Sequence, residues 1–331
     1  MEKRYLVADI GGTTTRLALF AIDSKVCELT ESKNFQSQEY LSFEEILQQY
    51  LEDKHYNISG ASIGIAGPIM EGRSIVTNLN WVIEEGSVSE ALGGIPVNLL
   101  NDLQAVSYAI PHLQPSDLET LIPGEPTPRG GLGVVAPGTG LGEGFLLWTG
   151  NAYVPFPSEG GHASFGPETP LQLELLNYLD PLFGHVSYER VCSGIGITNL
   201  YAFLRDAKGY DEPVWLKNQI TAVADPVPII VEAALNKKAE ICVETMSLFV
   251  SILGSESGNL ALKILATGGI YLAGGIPRRI LPLLRGDNFQ LAFTDKGRFA
   301  KMLCEVPVYV LTHPQAGLFG AACHGQQILG K

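Results

Sequence analysis

The sequence is short of clustered cysteine, of positive charge and of long apolar runs. Its five cysteines (Cys27, Cys192, Cys242, Cys304 and Cys323) are odd in number and far apart, with no C-x-x-C pair. That spacing argues against a cysteine-rich zinc site or a disulfide framework, and reads as reduced thiols in a cytoplasmic protein. Lysine and arginine total 22 against 35 acids, a formal charge of −13. A sequence-independent nucleic-acid binder needs a basic surface to displace counterions from phosphates, so no nucleic-acid partner is expected. A single nucleotide survives the same test, because a Mg²⁺ ion and a few backbone N–H groups offset phosphate charge locally. No run of about 18 apolar residues occurs, so no membrane span is expected. No long apolar segment precedes the first glycine pair, so no signal peptide is expected either. Low-complexity tracts are missing, and so is G-x-x-x-x-G-K-S/T, which sets aside a P-loop.

At 331 residues the chain exceeds the size at which one hydrophobic core stops growing, and two lobes are expected. Residues 4–35 read as three strands: RYLVADI, TRLALFAI and a polar third around Glu31 to Phe35. Phe43, Ile46, Leu47, Tyr50 and Leu51 recur at helical spacing, with Ser42 and Glu45 set as a capping box. GASIGIAGP (60–68) and PVNLLND (96–102) are expected strands, and LQAVSYAI (103–110) a helix. A second cycle starts near residue 131, where GLGVVAPGTGLGEGFLLWTG again sets a Gly/Thr turn between two apolar strands, with NAYVPFPSE as a third. Helices are expected over 170–183 and 187–207 and through 227–266, then IYLAGGIP (270–277) as a strand running into a Gly-Gly turn. PVYVLT (307–312) is the last strand and AGLFGAACHGQQIL (316–329) the last helix. The two cycles read either as a duplicated α/β unit or as a coincidence of hairpins, since DIGGTTTR and APGTGLGEG share only Gly and Thr character.

Chemistry gathers at the turns. Gly11 and Gly12 allow backbone N–H groups close to a bulky anion, and Thr13 to Thr15 add hydroxyls. Asp9 would repel a bare phosphate but suits one that carries a partly hydrated Mg²⁺. A hairpin with solvated threonines is the other reading. GTGLGEG (138–144) offers a second glycine turn and LAGGI (272–276) a third. A G-x-G-x-x-A match at 131–136 enters a strand instead of following one, so it is no dinucleotide fingerprint. Asn101-Asp102 closes an apolar strand, where open α/β sheets bind ligands; capping of the next helix by Asp102 is the alternative. Glu159 and His162 flank two glycines, which disfavours a helix. Their loop either meets a small polar ligand or is a hydrogen-bonded structural loop. His185 and Glu189 read as a surface i,i+4 pair.

In order, DIGGTTTR, LLNDLQAVSYAI, APGTGLGEG, EGGH, HVSYERVCSG, LAGGI and AGLFGAA resemble the signature series of bacterial-type glucokinases, from Asp9 to Ala322. Thr14 stands where many relatives have Asn, and the missing cysteine cluster places the chain in the zinc-free branch. The resemblance implies an α/β, two-lobed, actin-like ATPase (ribonuclease H-like) sugar kinase fold with a cleft between lobes. The small lobe would be 1–111 plus 313–331 and the large lobe 112–312. It implies transfer of the ATP γ-phosphoryl group to the 6-hydroxyl of glucose. Asp102 would be the catalytic base, and Asn101, Asp102, Glu159, His162 and Glu189 would bind glucose. Ala8, Asp9, Ile10, Gly11, Gly12 and Thr13 would form the first phosphate loop. Gly138, Thr139 and Gly140 would form the second, with Gly274 and Gly275 beside adenosine. Asp9 would hold Mg²⁺ through water. A cytoplasmic homodimer is implied as well. Rival readings are a broader hexokinase and a sugar-sensing regulator; the regulator would need a DNA-binding helix pair, and no basic extension is present.

Overall fold

Apolar residues on both faces of the first strand set the architecture of the N-terminal part. The computed structural model describes residues 4–22, 27–52, 56–76 and 78–329. It divides into two units, Met1–Gln114 with His313–Lys331 and Pro115–Thr312. Residues 1–3 and 330–331, at the ends of the expected small lobe, lie outside the described residues.

In the first unit, β1 (Arg4–Ile10), β2 (Thr14–Ile22) and β3 (Cys27–Gln36) form an antiparallel meander. The helix α1 (Phe43–Leu51) follows, and β4 (Ile58–Ile65) returns parallel to β1. A separate hairpin, β5 (Arg73–Val76) and β6 (Trp81–Glu84), leads into α2 (Glu85–Ala91). Then come β7 (Val97–Asn101) and α3 (Asp102–Ala109). The sheet order is β3-β2-β1-β4-β7. Leu6, Ala8 and Ile10 of β1 pack in one core with Phe43, Ile46, Leu47 and Tyr50 of α1. Tyr5 and Val7 point into another, with Ala105, Leu318, Ala321 and Ala322. A strand buried on both faces loses its alternation, which is why RYLVADI reads as a continuous apolar run. At the start of α1, Ser42 Oγ accepts from Glu45 N at 3.4 Å, while Glu45 Oε2 accepts from Leu41 N, one residue before the cap.

The C-terminal helix Ala316–Leu329 belongs to this unit and lies against α3. Close approach requires glycine there: a Cβ at Gly320 would overlap the Ala105 carbonyl oxygen. Gly320→Ala would regain about 1 kcal/mol of helix propensity. Forcing the helices apart costs about 1–3 kcal/mol, so the clash outweighs the gain. The expected result is a lower midpoint in urea unfolding, and an unchanged or raised midpoint would refute that packing argument.

The second unit opens with β8 (Leu118–Ile122), followed by β9 (Leu132–Pro137), β10 (Leu141–Trp148) and β11 (Tyr153–Ser158). Later strands are β12 (Gly269–Leu272) and β13 (Val308–Leu311). The order β11-β10-β9-β12-β13-β8 repeats the first sheet and adds an antiparallel edge strand. Two glycine turns, Gly11–Thr13 and Gly138–Gly140, therefore occupy corresponding places in two sheets of the same topology. The long helix Glu240–Ile264 carries the core behind β9. Sequence expectation fails in two places here. The helix expected from 187 begins only at Gly194, because Ser193 Oγ caps it by accepting from Gly196 N at 3.1 Å. The helical region through 227–266 breaks between Leu235 and Glu240, where Lys237 takes a φ of 52°. The stretch 270–277 is, as expected, a strand running into a Gly-Gly turn: the strand ends at Leu272, and Gly274 at φ 85° turns the chain into the helix Gly275–Arg279.

Candidate active site

The first glycine turn is fixed by backbone bonds and one serine. Gly11 N donates to Thr14 O at 3.0 Å, and Ser37 N to Thr13 O at 2.9 Å. Ser37 Oγ donates to Gly11 O at 2.9 Å and lies 3.0 Å from Thr15 Oγ1. The buried Thr15 thus serves the scaffold, whereas Thr13 is exposed to solvent. Asp9 pairs across the strands with Arg16. Burial raises the Asp9 carboxyl above the usual range, the Arg16 charge pulls it back, and the Asp102 charge raises it further. Arg16 is therefore the cross-strand countercharge of Asp9, a role its sequence position alone left open. Asn78, from the turn after β5, sits 3.2 Å from where a Cβ would stand on Gly12.

The pair Asn101-Asp102 divides its work differently from the capping expectation. Asn101, not Asp102, is the N-cap: its Oδ1 accepts from Leu103 N at 3.0 Å, and its Nδ2 donates to Gly67 O at 3.0 Å. Asn101 keeps one amide hydrogen beyond these bonds. Asp102 begins α3, where one oxygen accepts from Leu103 N at 2.8 Å. Although Asp102 is solvent-exposed, desolvation by the surrounding chain raises its carboxyl above the usual range, against the pull of that N–H. Two acids that both resist ionisation mark a place where a cation or an exchangeable proton is favoured.

In the second unit the glycine turn adjoins a helix start. Gly138 N donates to Gly140 O at 2.8 Å, and Gly194 N to Gly138 O at 2.8 Å. The N-terminus of the helix Gly194–Asp206 therefore lies at the turn, and its partial positive charge favours anions there. Leu141 N, just past the turn, donates to Glu189 Oε2 at 3.0 Å. Gly274 follows β12, the parallel neighbour of β9, so the second and third glycine sites share one sheet end.

Glu159 and His162 stand on a single 3₁₀ turn, Gly160–His162, closed by His162 N donating to Glu159 O at 3.0 Å. This helical turn forms despite the two glycines. Glu159 Oε2 lies 3.9 Å from His162 Nε2, and their side chains are 89% and 63% exposed, open to a ligand. The chain after this turn pairs with that before Glu189: Phe165 N donates to Val186 O at 2.8 Å and Tyr188 N to Ala163 O at 3.0 Å. Glu159, His162 and Glu189 are thereby gathered in one part of the unit. His185 and Glu189 are not a helical surface pair, because residues 185–189 are not α-helical; the His185 ring donates to His162 O at 3.1 Å.

A glucokinase family model matches residues 6–328. The chain belongs to the glucokinase family. Glucokinase of Nostoc punctiforme is 41% identical over 96% of this chain and 97% of that one. Glucokinase of Cronobacter sakazakii is 37% identical over 100% and 99%. Among solved structures, a glucokinase from an Antarctic psychrotroph superposes with a TM-score of 0.86 at 31% identity, covering 98% and 99%. A ROK family glucokinase from Streptomyces griseus, solved with glucose and AMPPNP, has a TM-score of 0.61 at 18% identity and shares the fold. The two-domain actin-like sugar kinase fold comes with these matches, and membership makes this glucokinase-family chain an ATP-dependent glucose kinase. Among the described residues no helix is long and apolar enough to cross a membrane.

Three contributors escaped the sequence reading. Ser37 and Asn78 reach the first turn from beyond β2, and Ser193 presents a helix start to the second. The S-G-x-G at 193–196 carried a usable cap signal for Ser193. Ser37 and Asn78 had none, since only tertiary contact brings them to the turn.

Proposed function

We propose that this chain transfers the γ-phosphoryl group of ATP directly to the 6-hydroxyl of glucose, giving glucose 6-phosphate and ADP, with Asp102 as general base. The observation that carries this reading is the Asp102 carboxyl itself, at the carboxyl end of β7 with a raised proton affinity. One oxygen is engaged by Leu103 N–H, and the other accepts the hydroxyl proton as O6 attacks phosphorus in line. The bond from phosphorus to the β–γ bridging oxygen breaks, and ADP leaves with those electrons. A base whose pKa moves toward the working pH is better matched to this task, and such assistance is worth ~10²–10⁴ in rate. Asn101, Glu159, His162 and Glu189 are assigned to glucose hydroxyls. Ala8 through Thr13 and Gly138, Thr139 and Gly140 are assigned to phosphates, and Gly274 and Gly275 to the adenosine side.

The donor chemistry suits Mg²⁺. A half-buried carboxylate with a second acid nearby fits an ion that keeps most of its water and takes few protein ligands. Asp9 would hold it, and when bound it would screen the charge of the phosphate oxygens. The same reading has the enzyme work in the cytoplasm as a homodimer, in keeping with the resemblance of its motifs.

Specificity follows from polar groups that a wrong sugar leaves unpaired, which rejects analogues by as much as ~10⁴. A coupled assay over glucose, mannose, galactose and fructose is expected to give the highest kcat/KM with glucose. Comparable values for galactose or fructose would overturn the sugar assignment and favour a broader hexokinase.

A further inference from the structure

Behind the Glu159–His162 turn lies a buried acid that the reaction does not use. Glu143 on β10 pairs with Ser158 on β11, immediately before the turn. It is 1% exposed, and its Oε1 has no hydrogen-bond partner. A Cβ on Gly160 would collide with Glu143 Oε2, so the turn rests directly on this carboxyl. Glu256 of the helix Glu240–Ile264, wholly buried, stands close enough for its charge to act on Glu143. Glu256 Oε1 accepts from Lys263 Nζ at 3.1 Å, and Oε2 from Asn259 Nδ2 at 2.9 Å. Asn259 Nδ2 also donates to Tyr188 OH at 2.9 Å, and Tyr188 precedes Glu189. One buried cluster thus underlies both segments that carry the assigned sugar acceptors.

Two interacting carboxyl groups that are both buried do not both ionise, so one of them keeps its proton. Lys263 and Asn259 supply donors to Glu256, which leaves Glu143 as the protonated partner. We infer that Glu143 is a positioning residue for glucose: its neutral carboxyl seats the Gly160–His162 turn. The inference rests on the reading of that turn as sugar-binding. Once Glu143 ionises, two carboxylates face each other in a buried space, and the turn above them shifts. Desolvation and the Glu256 charge push the Glu143 carboxyl up to about 8, with Lys263 opposing. The other titratable neighbours, Tyr188 and Cys192, are themselves pushed further up by burial, so they do not ionise in the same range.

The experiment is the pH dependence of KM for glucose and for ATP in the wild type, Glu143→Gln and Glu159→Ala. Gln keeps the shape but cannot ionise. In the wild type the glucose KM is expected to climb by up to about tenfold per pH unit on the alkaline side, with the ATP KM flat. Glu143→Gln is expected to stay within about threefold of the wild type at neutral pH and to lose the climb. A climb that persists in Glu143→Gln overturns the proposal. Calorimetry of glucose binding to the wild type in two buffers of different ionisation enthalpy decides the matter independently of how that variant folds. Proton uptake on binding at alkaline pH supports the proposal, and its absence overturns it. Glu159→Ala tests the underlying reading separately: a raised glucose KM keeps the turn as a sugar site whatever Glu143 does. An unchanged KM there removes that reading and the proposal with it.

Discussion

Asp102→Asn is expected to lower kcat by at least ~10² while glucose still binds with nearly wild-type affinity. The substitution keeps the shape and a carbonyl-type oxygen for Leu103 N–H, so α3 and its Asn101 cap should be undisturbed. What is lost is the proton acceptor. Loss confined to kcat, with the glucose Kd from fluorescence or calorimetry preserved, identifies a group that acts in the transition state. Near-normal turnover would sink the assignment. The same variant has a second expected signature. Because the folded-state pKa of Asp102 is raised, the ionised side chain is less favourable in the folded than in the unfolded protein at neutral pH. This penalty is absent below the unfolded carboxyl pKa and grows as pH rises through the folded one. Asn removes it, so thermal unfolding of the variant should occur at a higher Tm than wild type at pH 7, with the gap closing in acid. Activity lost together with stability would instead point to a misfolded strand end.

Much of this arrangement could be read from the residues because strand, turn and cap carry local signals. The β1–turn–β2 unit, α1 with its Ser42 cap, and the Pro170–Phe183 helix follow from apolar period and turn residues within short windows. The duplicated sheet order could be suspected from two Gly/Thr turns but not established, since strand order is a property of long-range pairing. The hairpin β5–β6 buries Ser74 and Val76 of β5 with their cross-strand partners Ile83 and Trp81 of β6, a period-2 pattern confined to four-residue strands. Windows that short do not separate a strand from a loop. At the site, the acids and glycines stood out because a carboxylate or a glycine pair is costly without a task. Their supports were not visible. Glu143 reads as one more polar residue in a glycine-rich stretch, and its meaning comes from Glu256, 113 positions later by the residue numbers. Ser37 and Arg16 acquire roles only when strand register sets them beside Gly11 and Asp9.

Glu189→Ala should be the most damaging change among the assigned sugar acceptors, because this side chain has two duties. Its Oε2 holds Leu141 N–H at 3.0 Å, directly after the Gly138–Gly140 turn assigned to phosphate, while its carboxylate is also assigned to glucose. Removing a charged acceptor and leaving its donor unpaired costs about 1.5–3 kcal/mol, which corresponds to roughly 10–10² in an equilibrium constant. The expected outcome is a rise in the KM of glucose and of ATP together, with kcat/KM for glucose down by about 10². Glu159 offers the control: its side chain is 89% exposed and carries no such backbone bond to the turn, so Glu159→Ala should raise the KM of glucose alone. Glu189→Gln separates the two duties. The amide oxygen can still accept from Leu141 N–H, so the ATP KM should return toward wild type while the glucose KM stays raised. An ATP KM untouched by Glu189→Ala would mean that Gly138, Gly194 and their backbone bonds hold the turn without Glu189. The helix start at Ser193 would then be the principal support of that turn.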